Sequence, residues 1–219
     1  MKLSILIPTH ARANLFWRCL DSARPLLDGN VEIIVNNDSN DIVPKDYHPN
    51  ISYYFSKFDN LSQVYEFLLN KATGEYVYFL EDDDYLNDSF YSIPLEGDII
   101  AGNYCPTYET PNKLEFMRLF KDGVVNANHF ANILNFEHLQ LGQFIFKRNV
   151  IKDFVFPMDS NVHNDIKLVL HASKNSEHVH TTSKVFYYQT IDGGDNISFS
   201  STVPSIPVTQ SMDFLNEGN

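Results

Sequence analysis

Apolar and polar positions along this chain follow two alternating periods. KLSILIP (2–8), VEIIVNN (31–37) and EYVYFL (75–80) are short, nearly continuous apolar runs, the pattern of strands buried on both faces. ISYYF (51–55) reads as a further short strand. Between these runs the period changes to that of a helix. Leu15, Phe16, Cys19, Leu20 and Ala23 recur at i, i+3, i+4 spacing and predict an amphipathic helix over 12–23. A second helix is predicted over 60–74, with Val64, Phe67, Leu68 and the stem of Lys71 inward and Gly74 at its C-cap. The later part is less regular: an apolar pair at Ile99-Ile100, a helix over 112–121, a strand at 144–146, a helix over 164–173 and a strand over 185–189. The Ser/Thr/Pro-rich stretch from 199 carries no core of its own, and no internal repeat is visible.

Strands alternating with helices predict a single α/β domain of Rossmann-like type, with a mostly parallel central sheet and helices on both faces. In such sheets ligands bind beyond the carboxyl ends of the strands. Three strands end in polar clusters at that edge: Pro8-Thr9-His10, Asn36-Asn37-Asp38-Ser39, and the run Glu81-Asp82-Asp83-Asp84.

Composition narrows the field. At 219 residues, 43% apolar and 14% aromatic, the chain suits one large domain with a sizeable core. A net charge of −12 argues against a general nucleic-acid surface, so nucleic acid is an unfavoured partner. Cys19 and Cys105 have no metal or redox spacing, and Cys19 falls on the apolar face of its helix as a buried free thiol. No apolar run is long enough to span a membrane, and MKLSILIPTH reads as a first strand rather than a leader; the expectation is a soluble, cytoplasmic protein.

The acid run is the strongest chemical signal. Four adjacent carboxylates repel and raise one another's pKa, so a positive partner is expected. A solvated turn is the bland alternative. Hard oxygen donors suit Mg²⁺ or Mn²⁺, which takes one or two carboxylates together with substrate phosphates and water. Zinc and EF-hand spacings are absent, as are P-loop and GxGxxG patterns, so any nucleotide is held by metal and side chains.

In order and spacing these segments resemble the family 2 glycosyltransferases, which have the GT-A fold and use nucleotide-sugar donors. LSILIPTHARANLFWRCLDSA is similar to the family's opening strand, Pro-Thr turn and first helix; VEIIVNNDSND to its second strand; ATGEYVYFLEDDDYL to the strand leading into the DxD metal motif. LGQFIFKRNVI, HNDIKLVLHAS and VFYYQTIDGGDNIS resemble its later segments, so the likeness spans about residues 2 to 198.

The resemblance divides the chain into a nucleotide-sugar-binding part (1–100), an acceptor and catalytic part (101–198) and a tail (199–219). It implies that Pro8, Thr9 and Arg12 line the base and phosphate side of the donor pocket. Asn37 stands where the family often has an Asp that meets the pyrimidine, with Asp38 beside it; an amide serves uracil or cytosine. Asp83 is the implied direct metal ligand, supported by Asp84, with Glu81 and Asp82 nearer the ribose; the register Asp82-x-Asp84 is the alternative. Asp165 matches the catalytic base of inverting members, although Asn164 replaces the usual Glu; an ordinary helix-start acid is the plain alternative. The Arg and His that usually follow the last tyrosines are replaced by Gln189, Thr190 and Ile191. The expected partners are a UDP-sugar and an acceptor hydroxyl on a glycan, a lipid-linked sugar or, less favoured, a modified nucleic-acid base. Two other readings stand beside this one. A nucleotidyltransferase would carry a Gly-rich loop after the first strand, which IPTHARAN lacks. A non-catalytic nucleotide-sugar-binding relative would have its acids misplaced.

Overall fold

The structure, a computed structural model, describes residues 2–39, 42, 44, 47–107, 120–133, 139–157 and 164–190. The first three apolar runs form β1 (Leu3–Thr9), β2 (Val31–Asn37) and β3 (Ile51–Tyr54), with helix α1 (Ala13–Ala23) between β1 and β2. Helix α2 (Leu61–Lys71) leads into β4 (Tyr76–Phe79). These strands lie in the order β3-β2-β1-β4, every pairing parallel, so 2–8, 31–36 and 75–80 share one sheet as expected.

Alternation along each strand splits the core between the two faces. Leu3, Ile5 and Ile7 pack with Phe16, Cys19, Leu20 and Ala23 of α1 on one side. Leu6, Val77 and Phe79 pack with Val64, Tyr65, Leu68 and Leu69 of α2 on the other. Phe67, expected inward on α2, is only half-buried and packs edge-on to Tyr54 at 5.3 Å. Lys71 is exposed, its ammonium 5.3 Å from both of those rings. Tyr65 and Leu69 take the inner positions instead.

α2 begins at Asn60, whose side chain accepts the Gln63 amide at 3.1 Å, and ends one residue before Ala72, which turns extended. Gly74 is therefore not its C-cap. It lies against β1, where a Cβ would stand 2.6 Å from Ser4 Oγ, 2.7 Å from Ser4 N and 2.8 Å from Tyr76 O. Two of those three atoms are backbone, which cannot swing aside. Gly74→Ala is expected to destabilise the fold by about 1–3 kcal/mol, the usual cost of overpacking. Chemical denaturation measures it, and an unchanged midpoint would show that the strands can part.

Beyond β4 the sheet becomes mixed. It continues through β5 (Tyr85–Leu86), β6 (Ile99–Thr107), β7 (Gly123–Asn126), β8 (Phe144–Lys147) and β9 (His178–Thr190). Helices α3 (Ala127–Ile133), α4 (Arg148–Ile151) and α5 (Asn164–Lys174) cover the α2 face. Among the described residues the order is β3-β2-β1-β4-β8-β6-β9-β5, with β7 also on β9. β8 runs antiparallel to both β4 and β6, while β6 and β9 are parallel. The mostly parallel sheet expected from the strand–helix alternation thus holds over the first four strands. The late strand expected at 185–189 is the end of a 13-residue strand. The helix expected over 112–121 lies outside the described residues up to 119, as does the tail. No described helix is long and apolar enough to cross a membrane.

Candidate active site

The carboxyl ends of β1, β2 and β4 bring three loops together. Thr9 closes β1 opposite Asn37 of β2, and the Asp38 amide donates to Thr9 O at 3.3 Å. His10 Nδ1 then meets Asp38 Oδ1 at 2.5 Å. The next residue, Ala11, sits at φ +50°, in the left-handed region that a residue with a Cβ seldom occupies, and its amide donates to Ser39 Oγ at 3.0 Å. That twist points Arg12, the residue capping α1, the other way, toward the end of β4.

There Arg12 Nη1 donates to Asp83 Oδ2 at 2.7 Å and Nη2 to Asp82 Oδ1. The positive partner demanded by the acid run is thus partly supplied from within the chain. A second guanidinium, Arg18, approaches differently. Its Nη2 donates to the main-chain oxygen of Asp83 at 2.5 Å and to Thr190 Oγ1 at 2.6 Å, and its Cζ lies 4.7 Å from the Tyr85 ring centre. Thr190 closes the group: its hydroxyl donates to Asp83 O at 2.5 Å and its amide to Asp84 Oδ1 at 3.0 Å. At the other end of the run, the Tyr65 hydroxyl donates to Glu81 Oε1.

Electrostatics follow from this packing. Burial pushes the Glu81 carboxyl up to about 7, opposed by the Tyr65 hydrogen bond and assisted by the charges of Asp83 and Asp82. Burial likewise raises Asp82 to about 6, against the pull of Arg12. Asp84 is raised well above its ordinary value by burial and then by Asp83. Asp82 Oδ2 is buried without a hydrogen bond of sound geometry, although the Thr9 hydroxyl and the His10 amide lie close enough to favour its charge. Four carboxyl groups face two guanidiniums, so the site retains an attraction for further positive charge. The donors are all hard oxygens, which fits Mg²⁺ or Mn²⁺. Among the described residues no three His, Cys, Asp or Glu side chains converge as a ready-made cage.

The expected residues therefore fall into two groups. Thr9, Arg12, Glu81, Asp82, Asp83 and Asp84 converge. Asn37 and Asp38 form a neighbouring group on β2, joined to the first through the loop 9–12, while Pro8 is buried within β1 opposite Asn36. The Asn37 amide is committed to the turn after β2: Oδ1 accepts from the Ser39 amide at 3.0 Å and hydroxyl at 2.8 Å, and Nδ2 donates to Ile42 O at 3.4 Å. Asp165 stands half-buried in the first turn of α5, near enough that its charge, after burial and Glu81, helps raise the Tyr65 phenol. Tyr65 thus feels the charge of both the acid run and Asp165. Sequence reasoning missed Arg18 and Tyr65, and placed His10 at the ligand edge without giving it a role. It noticed Thr190 only for the histidine it replaces. Tyr65 reads as a core aromatic, and nothing local pairs Arg18 with a strand end 65 residues away.

Comparison with known proteins bears on this arrangement. Residues 4–94, which hold β1 to β5 and the acid run, match the family model described as glycosyl transferase family 2. Over that stretch the chain is similar to glycosyl transferase family 2. Among curated members it is 26% identical over 132 residues to the glycosyltransferase GlyA of Streptococcus pneumoniae serotype 4, covering 52% of this chain and 18% of that protein. It is also 26% identical over 127 residues to EpsH of Bacillus subtilis strain 168, covering 51% of this chain and 36% of that one. The chain thus spans well under two thirds of the length of these relatives. A crystal structure of S. aureus TarS 1-349 in complex with UDP-GlcNAc matches with a TM-score of 0.65 at 21% identity, over 93% of this chain and 62% of that one. The complex of TarS 1-349 with UDP matches with a TM-score of 0.63 at 20% identity, over 87% and 61%. This likeness gives the chain a GT-A type α/β fold.

Proposed function

We propose that this chain transfers a glycosyl group from a nucleoside-diphosphate sugar, with UDP-sugars favoured, to an acceptor hydroxyl on a glycan or lipid-linked sugar. Transfer is assisted by a divalent cation and inverts the anomeric carbon. The observation that carries this reading is the meeting of four carboxyl groups with two guanidiniums at the carboxyl end of β4, in a chain similar to family 2. The binding of UDP and UDP-GlcNAc by TarS, which shares the fold, supports the donor class.

Asp83 is the residue assigned to hold Mg²⁺ or Mn²⁺, with Asp84 behind it. Such an ion would act as a Lewis acid, stabilising charge on the departing diphosphate. Glu81 and Asp82 face the ribose side. Asp165 takes the proton of the acceptor hydroxyl as its oxygen forms the new bond to the anomeric carbon. The bond from that carbon to the phosphate oxygen breaks, its electron pair leaves with the diphosphate, and a single displacement inverts the centre. Thr190 and Arg18 hold the main chain of Asp83, so the carboxylate is presented from a fixed backbone.

Calorimetry of UDP binding with and without Mn²⁺ tests the donor and cation together. Tighter binding with Mn²⁺, and loss of that gain in Asp83→Ala, are expected. Equal affinity in both conditions for the wild type removes the cation from the reading. Incubation with UDP-sugars is expected to release UDP slowly by hydrolysis; release of pyrophosphate would instead mean nucleotidyl transfer, and binding without turnover a non-catalytic relative.

A further inference from the structure

We propose that Arg12 is a resident counter-ion which must release Asp83 before a divalent cation can be held there, so that cation and donor diphosphate bind as one coupled event. This rests on the reading of the site given under Proposed function.

The guanidinium fork occupies Asp83, the carboxylate assigned to the cation, through Nη1, and the neighbouring Asp82 through Nη2. It cannot yield by losing a proton, because arginine stays charged at any accessible pH, and its neighbours raise its pKa further against the effect of burial. Two cations on the same carboxylate repel at close range. Arg12 must therefore move. The structure gives it a way to do so. Its side chain is 25% exposed, and it hangs from the short loop between β1 and α1, beside the left-handed Ala11. Backbone positions in so sparsely populated a region cluster where ligands act.

Arg18 makes the contrast. Its bonds run to a main-chain carbonyl and to Thr190, with the Tyr85 ring beneath it, so it takes up no carboxylate oxygen of Asp82 or Asp83. A planar fork released at the carboxyl edge finds its best new partner in the oxygens of a diphosphate. Cation binding alone then opposes a bound arginine, whereas cation binding with a diphosphate gives that arginine a destination. By linkage, the diphosphate tightens the cation by the same factor that the cation tightens the diphosphate.

Mn²⁺ binding followed by the electron paramagnetic resonance of the free ion, with and without UDP, tests this on the full chain. In Arg12→Gln, Mn²⁺ alone is expected to bind about 5- to 150-fold tighter than in wild type, and the tightening of Mn²⁺ by UDP to shrink toward one. Arg12→Lys separates the fork from mere charge: it keeps the charge but cannot bridge both carboxylates, so it should also tighten Mn²⁺ and weaken the coupling. If Arg12→Gln fails to fold, by circular dichroism, Arg12→Lys carries the test alone. Mn²⁺ affinity equal to or weaker than wild type in the folded variants, or undiminished coupling with UDP, overturns the inference and leaves the donor site standing. A wild type that binds neither UDP nor Mn²⁺ overturns both.

Discussion

Asp165→Asn is expected to lower turnover by about 10²- to 10⁴-fold, the usual contribution of a positioned general base, while leaving UDP affinity and the fold nearly unchanged. The amide matches the carboxylate in shape and is tolerated at a helix start. α5 is anchored by Leu168, Val169 and Ala172, which are buried whatever occupies position 165. The metal-side acids Asp83 and Asp84 belong to a different element. A fall of that size corresponds to about 3–5 kcal/mol of transition-state stabilisation, far more than a surface carboxylate supplies. The accompanying expectation is stereochemical: the transferred sugar should have the opposite anomeric configuration to the donor. Wild-type turnover in Asp165→Asn would reduce the residue to an acid favoured by its helix dipole, and a retained configuration in the wild-type product would remove the base role.

In metal-free buffer the fold is expected to lose stability as pH rises from about 4.5 to 7. Glu81, at about 7, and Asp82, at about 6, both bind protons more tightly in the folded chain than in the unfolded one. Across that window the native state holds more protons, so stability falls with rising pH and levels off above the folded pKa values. The stabilisation is complete below the ordinary carboxylate range and is lost as Glu81 and Asp82 ionise in place. Each shift amounts to about 3 kcal/mol at most, and Asp84 acts in the same direction. Denaturation midpoints at pH 5.5 and 7.5 in the presence of a chelator measure it. Added Mn²⁺ should flatten the slope, because a bound cation favours the ionised acids. Stability that climbs through this window would show that the acid run is ionised and well compensated throughout.

Much of the framework was legible because β1, β2 and β4 are covered on both faces, and continuous apolar runs such as LSILIPT have few other uses. The inner face of α1 was read correctly at Phe16, Cys19, Leu20 and Ala23 for the same reason, whereas Leu15 is only half-buried. The first half of β9 was not visible. His178 to Lys184 is polar, and only Val179 and Thr181 of that stretch are buried, too thin a pattern to signal a strand. Gly74 was misread because a glycine after a helix usually ends it, whereas here Ser4 leaves room for nothing larger. The acid run announced a need for positive charge, but not that Arg12, 70 residues earlier, meets two of its members. Such a pairing depends on which strands become neighbours, and that is decided by the whole sheet rather than by any local spacing.

The clamp made by Thr190 has a consequence for the timing of assembly. Its partner in the acid run, Asp83, precedes it by 107 residues, and Arg18 precedes it by 172. The parallel block β3-β2-β1-β4 can pair as soon as residue 79 is free to fold, while the strand that fastens the acids is made last among the described elements. At about 5–20 residues per second of synthesis, the acid run waits some seconds without its fastening. During that interval Arg12 can hold Asp82 and Asp83 and Tyr65 can hold Glu81, while Asp84 lacks the Thr190 amide. A nascent chain halted before β9 would therefore own most of its sheet and lack its Thr190 clamp, and folding of the barrier-crossing kind would be limited by a long-range closure rather than by the local helices.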